Sequence, residues 1–133
     1  MDNREEVWKK KRCGRFTSSS LAALMKSGRG KDLIWGDTAI NYLYEKVYER
    51  RTGRPVRSED NKNFRWGHEQ EPLAIAALRA NYPEYTFMHC QEDYNDIVFV
   101  VPKDLECFGD SPDFYVVEPL SGKIMELGEI KCL

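Results

Sequence analysis

Residues 111–131 read SPDFYVVEPLSGKIMELGEIK, a pattern that predicts a β-hairpin with charged residues at its open end. The apolar run FYVV forms the first strand, the residues PLSGK form the turn, and the remainder forms the second strand. Asp113 opens the first strand, and Glu129 and Lys131 lie at the end of the second. Because successive side chains of a strand point to opposite faces, Glu129 and Lys131 share a face, and pairing across the hairpin can bring Asp113 close to Glu129.

These charged groups have the chemistry needed for metal-assisted phosphodiester hydrolysis. Mg²⁺ prefers oxygen ligands and keeps several waters, so the carboxylates of Asp113 and Glu129 with the carbonyl of Ile130 would suffice to hold it. A bound cation lowers the pKa of a coordinated water and stabilises charge in the transition state. Lys131 could orient that water, accept its proton or neutralise developing charge. The alternative is a surface strand that simply alternates Glu and Lys, which is common.

A further carboxylate, on a predicted helix, could complete such a site. Residues 65–72 read RWGHEQEP, and Glu71 is the candidate. The alternative is a solvated glutamate in the first turn of a helix, where the helix dipole favours it. The two histidines, His68 and His89, have no partner at metal-ligand spacing, so we assign no metal to them.

A second group of residues, near the N-terminus, has the chemistry of a phosphate-binding site. Arg12 and Arg15 precede two hydroxyl residues, Thr17 and Ser19, at the predicted start of a helix. Arginine binds phosphate through paired hydrogen bonds, and hydroxyls with free backbone amides at a helix N-terminus supply further donors. The alternative is a plain capped helix with a basic segment before it.

Helical periodicity dominates the first two thirds of the chain. A basic, irregular segment at Trp8–Arg15 precedes a helix that begins near Leu21, where hydroxyl residues are capping candidates. A stronger helix is predicted over 37–52, with Asp37 as its cap and Gly53 after its end.

The last predicted helix and the strands complete the pattern. The helix covers 64–82, and Pro72 marks either its true start or a kink. From there the period becomes that of strands, which are predicted at 85–90, 96–101, 113–118 and 124–131. Helices followed by an antiparallel meander predict an α+β fold.

Composition sets the class of protein. A chain of 133 residues with 41% hydrophobic residues predicts one globular domain over residues 1–133. The sequence shows no apolar stretch of membrane-spanning length and no signal peptide. Its four cysteines lack CxxC spacing, which favours free thiols in the cytoplasm.

Charge is distributed unevenly along the chain. Residues 1–66 carry 16 Lys/Arg and 9 Asp/Glu, a net charge of +7, whereas residues 67–133 carry 4 and 13, a net charge of −9. A basic half suits a polyanion such as DNA, and an acidic half suits metal ions. The alternative is that these charges are solvated and serve no partner.

Four short motifs occur in order along nearly the whole chain: Trp8-x-x-x-Arg12-x-Gly14 with Thr17-Ser18-Ser19, Trp66-Gly67-x-x-x-Glu71-Pro72, Gly109-Asp110-Ser111-Pro112-Asp113, and Leu127-x-Glu129-Ile130-Lys131-Cys132. Together they resemble those of the YqaJ-type viral recombinase nucleases, a lambda exonuclease-like family of the PD-(D/E)XK nuclease class. The resemblance implies a PD-(D/E)XK (restriction-endonuclease-like) core, with helices flanking a central sheet.

The resemblance also implies an activity and its residues. The activity is Mg²⁺-dependent hydrolysis of double-stranded DNA from 5′ ends, with Mn²⁺ as a substitute metal. The implied roles are metal binding by Asp113, Glu129 and the Ile130 carbonyl, catalysis by these acids with Glu71 and Lys131, and 5′-phosphate binding by Arg12 and Ser19. Relatives can be toroidal trimers, and many act with a single-strand annealing protein in phage recombination, so a homotrimer and such a partner are expected.

The chain departs from the family pattern in two places. Phe114 stands where glycine usually follows Ser-Pro-Asp, and Leu133 stands where proline usually follows ExKC. Neither change removes a ligand. Because the family continues with a helix and further strands, we expect the sequence to be the N-terminal portion of a single nuclease domain, truncated at its C-terminus. The alternatives are a catalytically inactive remnant that binds DNA ends, or another PD-(D/E)XK endonuclease.

Overall fold

The computed structural model describes residues 3–30, 34–56, 62–94 and 98–131 of the chain. Helices precede an antiparallel sheet along the sequence, which confirms the predicted α+β fold. The elements are α1 (Asn3–Arg12), α2 (Leu21–Leu24), α3 (Asp37–Thr52), α4 (Lys62–Asn81), β1 (Thr86–His89), β2 (Phe114–Val117) and β3 (Ile124–Gly128). No helix in these ranges is long and apolar enough to cross a membrane.

The residues divide into two compact units. The first unit is Met1–Ser58 with Phe99–Asp110, and the second unit is Glu59–Val98 with Ser111–Leu133. The phosphate-binding candidates thus belong to the first unit and the acidic candidates to the second. The expectation of one nuclease domain over residues 1–133 stays a prediction.

Helix α1 occupies a segment for which the sequence analysis predicted irregular structure. Its first turn carries Glu5 and Glu6 and its last turn is basic, so side-chain charges complement the helix dipole at both ends. Lys9 Nζ pairs with Glu5 Oε1 at 2.5 Å, one turn apart. The prediction of irregular structure over Trp8–Arg15 was therefore wrong for residues 8–12. It was based on apolar periodicity, whereas the placement of charges is what favours a helix here.

Helix α3 has the predicted bounds. Gly53 follows it with a φ of 65°, a left-handed conformation that glycine adopts without strain, and its N–H donates to Glu49 O at 2.8 Å. At the other end Gly36 is the N-cap residue and Asp37 is the first helical residue. The expectation that Asp37 caps the helix was wrong; it lies in the first turn, where its charge still favours the helix dipole.

A buried carboxylate on α3, Glu49, links three segments of the first unit. Its side chain is 3% exposed and accepts hydrogen bonds from Gly14 N at 2.8 Å, Val56 N at 3.0 Å and Lys46 Nζ at 2.9 Å. Burial raises the pKa of Glu49, but these hydrogen bonds outweigh burial and hold it below its ordinary value. Gly14 has a φ of 73°, and a β-carbon on it would meet Arg50 Cγ at 2.3 Å, so this close approach requires glycine.

The second unit contains a three-stranded antiparallel sheet in the order β1-β2-β3. Helix α4 packs against β1 and continues through Pro72, so Pro72 is not the start of the helix. The buried side chains of this unit come from α4, β1 and β2 and from the residue that follows β1: Ile75, Phe87, His89, Cys90, Tyr115, Val116 and Val117.

The predicted strand at 96–101 was wrong in its described part. Val100 forms one isolated bridge with Asp110 there, and residues 95–97 lie outside the described ranges. Pro102 follows closely and has no N–H with which to extend a ladder.

Candidate active site

The open end of the hairpin is organised around Asp113. Its N–H donates to Gly128 O at 2.9 Å, and its carbonyl accepts from Cys90 N at 2.9 Å, so its backbone is held from both sides. Its carboxylate oxygen Oδ2 accepts the N–H of Ile130 at 2.5 Å. The strand predicted at 124–131 therefore ends at Gly128, because the N–H of Ile130 donates to the Asp113 side chain and not to a backbone carbonyl of β2.

The charge state of Asp113 reflects its acidic surroundings. Burial raises the pKa of Asp113 to about 6, opposed by the hydrogen bond from Ile130. The carboxylates of Glu71 and Glu129 contribute to this raised pKa, and the ammonium group of Lys131 opposes it. The structure thus brings all the acidic candidates within electrostatic reach of one partly buried carboxyl group.

Glu129 and Lys131 lie at the surface beside this carboxyl group. Their side chains are 40% and 68% exposed, and Lys131 Nζ forms an ion pair with Glu129 Oε1. This pairing agrees with the expected placement of both residues on one face of the chain. The ammonium group is therefore held next to a candidate metal ligand, where it could also reach a water bound there.

Glu71 lies on α4 near polar side chains of α4 itself, of the end of β1 and of the segment after β1. Its Oε2 accepts a hydrogen bond from Gln91 Nε2 at 2.7 Å, and His89 Nε2 lies 3.6 Å from the same oxygen. His68 Nδ1 lies 3.9 Å from Oε1. The carboxylate is thus surrounded by nitrogen atoms of three side chains, which is a more restrained setting than a solvated helix surface.

The acidic group fits a hard divalent cation in its chemistry. Two carboxylates, Asp113 and Glu129, with the carbonyl of Ile130 form an all-oxygen donor set, which Mg²⁺ can use while keeping several waters. In the ranges that the structure describes, no three His, Cys, Asp or Glu side chains are gathered closely enough to enclose a metal ion. An ion held by two carboxylates and a carbonyl would keep several waters in its coordination shell.

A cysteine behind Asp113 does not take part in this chemistry. Cys90 is buried, and burial first, then the nearby carboxylates of Asp113, Asp93 and Glu71, raise the pKa of its thiol to about 12. The thiol stays protonated near neutral pH, so Cys90 is a core residue and not a nucleophile.

In the first unit, the structure brings Arg12 and Ser19 together through Thr17. Arg12 Nη2 donates to Thr17 Oγ1 at 3.5 Å, and Thr17 Oγ1 lies 3.2 Å from Ser19 Oγ. The Arg12 guanidinium group stacks on Trp8, with its carbon 4.4 Å from the ring centroid. Thr17 is 3% exposed, and its N–H donates to Tyr42 Oη at 3.4 Å. A guanidinium group and two hydroxyls therefore form one connected group on a buried support.

Two other residues near this group have different partners. Arg15 Nη1 donates to Lys11 O at 2.6 Å, and its guanidinium carbon lies 6.0 Å from the Phe99 ring centroid, so Arg15 is engaged in packing. Ser18 Oγ donates to Asp110 Oδ2. Of the hydroxyls expected to cap the helix, Thr17 and Ser20 stand at N-cap positions and make no capping hydrogen bond. The hydroxyl of Thr17 bonds the side chains of Arg12 and Ser19.

His89 and Gln91 were missed by the sequence analysis. Their contacts with Glu71 span 18 and 20 residues, so no local spacing could reveal them. The sequence did hold one signal for His89, its position two residues after Phe87 in the strand, which puts both side chains on the same buried face of β1. A polar side chain on the buried face of a strand needs a polar partner.

Comparison with known proteins gives a consistent result. A family model described as YqaJ-like viral recombinase domain matches residues 7–132. The structure is similar to that of an alkaline exonuclease, LHK-Exo from Laribacter hongkongensis, at 25% identity and a TM-score of 0.61, covering 84% of this chain and 47% of that one. LHK-Exo in complex with dAMP gives the same identity and TM-score and is covered to 48%. The chain spans about half the length of these solved structures, and no curated protein matches it.

Proposed function

Because the chain belongs to the YqaJ-like viral recombinase domain family, we propose that it forms part of a Mg²⁺-dependent exonuclease that hydrolyses double-stranded DNA from 5′ ends. The fold is shared with an alkaline exonuclease, and residues 1–133 are proposed to belong to one nuclease domain. The proposed biological role is DNA recombination of the phage type.

One observation carries the proposal. The Asp113 carboxylate accepts the N–H of Ile130 at 2.5 Å. This hydrogen bond joins the acidic side chain just before β2 to the Glu129–Lys131 segment just after β3. In a solvated surface hairpin with alternating charges, a partly buried carboxyl group with a raised pKa is not expected. The arrangement therefore supports a functional site and not a solvated surface strand that alternates Glu and Lys.

In this proposal the metal ligands are the carboxylates of Asp113 and Glu129 and the carbonyl of Ile130. When bound, Mg²⁺, or Mn²⁺ in its place, supplies an acidified water and positive charge beside the scissile phosphate. Asp113 is held by its hydrogen bonds, and Glu129, whose carboxylate pairs with Lys131, would be the second acidic ligand.

Lys131 and Glu71 complete the proposed catalytic group. Lys131 is 68% exposed at the end of the hairpin, and it orients the attacking water or accepts its proton. Glu71 approaches from α4 and supports the site by orienting water or a metal-bound group through its carboxylate. Neither residue needs to form a covalent bond with DNA.

The phosphate-binding group of the first unit is proposed to hold the 5′-phosphate of the DNA end. Arg12 supplies a charged, two-pronged donor and Ser19 a hydroxyl, and both are linked to Thr17. Stacking on Trp8 restrains the Arg12 guanidinium group before DNA arrives, which lowers the entropy cost of binding.

The remaining partners follow from family membership. We propose that double-stranded DNA ends are the substrate, that the protein assembles as a homotrimer, and that it acts with a single-strand annealing protein. We also propose a cytoplasmic location, which agrees with the free thiols of Cys13, Cys90 and Cys107.

The test is degradation of a linear duplex with 5′-phosphate ends, with Mg²⁺ and with EDTA. The proposal expects cleavage that requires the metal and starts at 5′ ends, and loss of cleavage in Asp113→Asn, Glu129→Gln and Lys131→Ala. Glu126→Gln is the matched control, because Glu126 is an exposed acid on the same hairpin.

Other outcomes of this test would contradict the proposal in different ways. Binding of 5′-phosphorylated ends without cleavage in Mg²⁺ or Mn²⁺ would indicate an inactive end-binding protein. Cleavage of closed circular DNA would indicate an endonuclease. Full activity in Lys131→Ala and Glu129→Gln would remove the hairpin from the mechanism.

A further inference from the structure

His89 is a buried polar side chain that the proposed mechanism does not use. It ends β1, is 1% exposed, and lies on the same buried face as Phe87. Neither ring nitrogen makes a hydrogen bond with the described atoms. Because buried polar groups are nearly always hydrogen-bonded, this imidazole requires a physical explanation.

Carboxylates face both nitrogens of the ring. Nε2 lies 3.6 Å from Oε2 of Glu71, and Nδ1 lies 3.2 Å from Oε2 of Glu92. The two carboxylates differ in solvent exposure, since the side chain of Glu71 is 14% exposed and that of Glu92 is 56% exposed. Both ring nitrogens thus face acceptors, and a ring nitrogen that carries a proton can donate to the carboxylate beside it.

The backbone of His89 is fixed by the turn that follows it. His89 N donates to Asp93 Oδ2 at 2.5 Å, and Asp93 N donates back to His89 O at 2.9 Å. Arg79 of α4 in turn donates to Asp93 Oδ2 at 2.6 Å. With its main chain anchored to the helix that carries Glu71, the ring can close the remaining gap by a small rotation.

Glu71 has one hydrogen bond in place and room for another. Gln91 Nε2 donates to Oε2 at 2.7 Å, and the same Gln91 nitrogen lies 3.1 Å from His68 Nδ1. A single donor restrains this oxygen from one direction only. A second donor from His89, approaching the same oxygen from the core, would restrain it from another direction.

We propose that His89 is a positioning residue, which donates a hydrogen bond from Nε2 to Oε2 of Glu71 and so holds this carboxylate in its catalytic orientation. The inference rests on the proposed function, because it assigns His89 to the site in which Glu71 acts. His89 touches neither the DNA nor the metal ligands in this proposal. Its role is like that of the outer residues that orient catalytic carboxylates in metal-dependent enzymes.

The first test measures the contact itself and needs no activity. The chain has two histidines, so a two-bond ¹H–¹⁵N correlation spectrum shows two imidazoles, and His68→Gln identifies the signals of His89. The proposal expects Glu71→Gln to shift the Nε2 resonance of His89. Glu69→Gln, an exposed acid two positions away on the same helix, should leave that resonance unchanged. An equal response in both variants would overturn the proposal.

The second test measures the consequence for catalysis. His89→Leu removes the donor and should lower kcat by about 10- to 100-fold, with KM for duplex DNA unchanged. His89→Gln retains an N–H donor and should restore most of the lost kcat, whereas a purely structural role predicts no such rescue. Unchanged kcat in a folded His89→Leu protein, or equal losses in both variants, would overturn the proposal.

The two arms separate this inference from the proposed function. If the wild-type protein does not degrade DNA in Mg²⁺ or Mn²⁺, the exonuclease assignment fails, while the resonance of His89 still decides whether it bonds to Glu71. If His89→Leu does not fold, as judged by circular dichroism, the Glu71→Gln spectrum and the His89→Gln kinetics decide the question.

Discussion

The ring of Phe114 lies across the backbone of Gly128, its direct partner in the pairing of β2 with β3. A β-carbon on Gly128 would stand 2.0 Å from Phe114 Cζ. The ring also packs edge-on against Phe87, with centroids 5.8 Å apart. The absence of a side chain at position 128 accommodates the Phe114 ring.

This pair predicts that Gly128→Ala destabilises the protein. The added methyl group would displace the Phe114 ring, and overpacking of this kind costs about 1–3 kcal/mol. Urea unfolding measures the change in the free energy of unfolding. Gly67→Ala is the control, since no described atom lies within 4 Å of a β-carbon there, and alanine in a helix should be neutral or stabilising. Equal stability of wild type and Gly128→Ala would contradict the packing.

Glu49→Gln should destabilise the protein by about 2–3 kcal/mol. The amide keeps the size of the side chain but loses its charge-assisted hydrogen bonds with Lys46 and two backbone N–H groups. Thermal or urea unfolding at pH 7 measures the difference. Glu106→Gln, an exposed acid in the same unit, should change stability by no more than about 0.5 kcal/mol.

The same residue predicts a pH dependence. The folded-state pKa of Glu49 lies below its unfolded value, so its stabilisation is present above the unfolded pKa of about 4.3 and is lost as pH falls through the folded pKa. The gap in unfolding free energy between wild type and Glu49→Gln should therefore be constant from pH 8 to pH 6 and shrink in acid. A gap that widens in acid would show that the sign of the pKa shift is wrong.

Sequence reasoning succeeded where the decisive information is local. Helix α3 ends at a glycine that its own segment supplies, and the β2–β3 hairpin follows from apolar runs around a turn. It failed where distant residues meet, because the bonds of Glu49 with Gly14 and of Glu71 with Gln91 span 35 and 20 residues. Such pairs depend on packing, which periodicity and capping signals do not encode.

Addition of Mg²⁺ should raise the melting temperature of the wild-type protein. A ligand that binds only the folded state stabilises it by about 2.7 kcal/mol at a concentration 100 times its Kd. Asp113→Asn and Glu129→Gln should each lose most of this shift, because each removes a charged ligand. Glu126→Gln should keep it. A wild-type melting temperature that does not respond to Mg²⁺ or Mn²⁺ would contradict the proposed metal site.

The Arg12–Thr17–Ser19 group predicts selective recognition of a 5′-phosphate. Thr17→Val keeps the volume of the buried side chain but removes the hydroxyl between Arg12 and Ser19. The preference for 5′-phosphate over 5′-hydroxyl ends should fall about 10- to 150-fold in Arg12→Ala, since a charge-assisted hydrogen bond is worth about 1.5–3 kcal/mol. Thr17→Val should reduce the preference by a smaller factor, because it loosens the donors without removing them.

The measurement is the ratio of kcat/KM for duplexes that differ only in the 5′-terminal group. Lys10→Ala is the control, because Lys10 is an exposed cation of the same helix as Arg12, and its loss should weaken binding of both duplexes equally. If Arg12→Ala also lowers both values equally, Arg12 contributes general attraction to DNA and does not read the end. If the ratio falls in Arg12→Ala but not in Thr17→Val, the buried hydroxyl does not organise the donors.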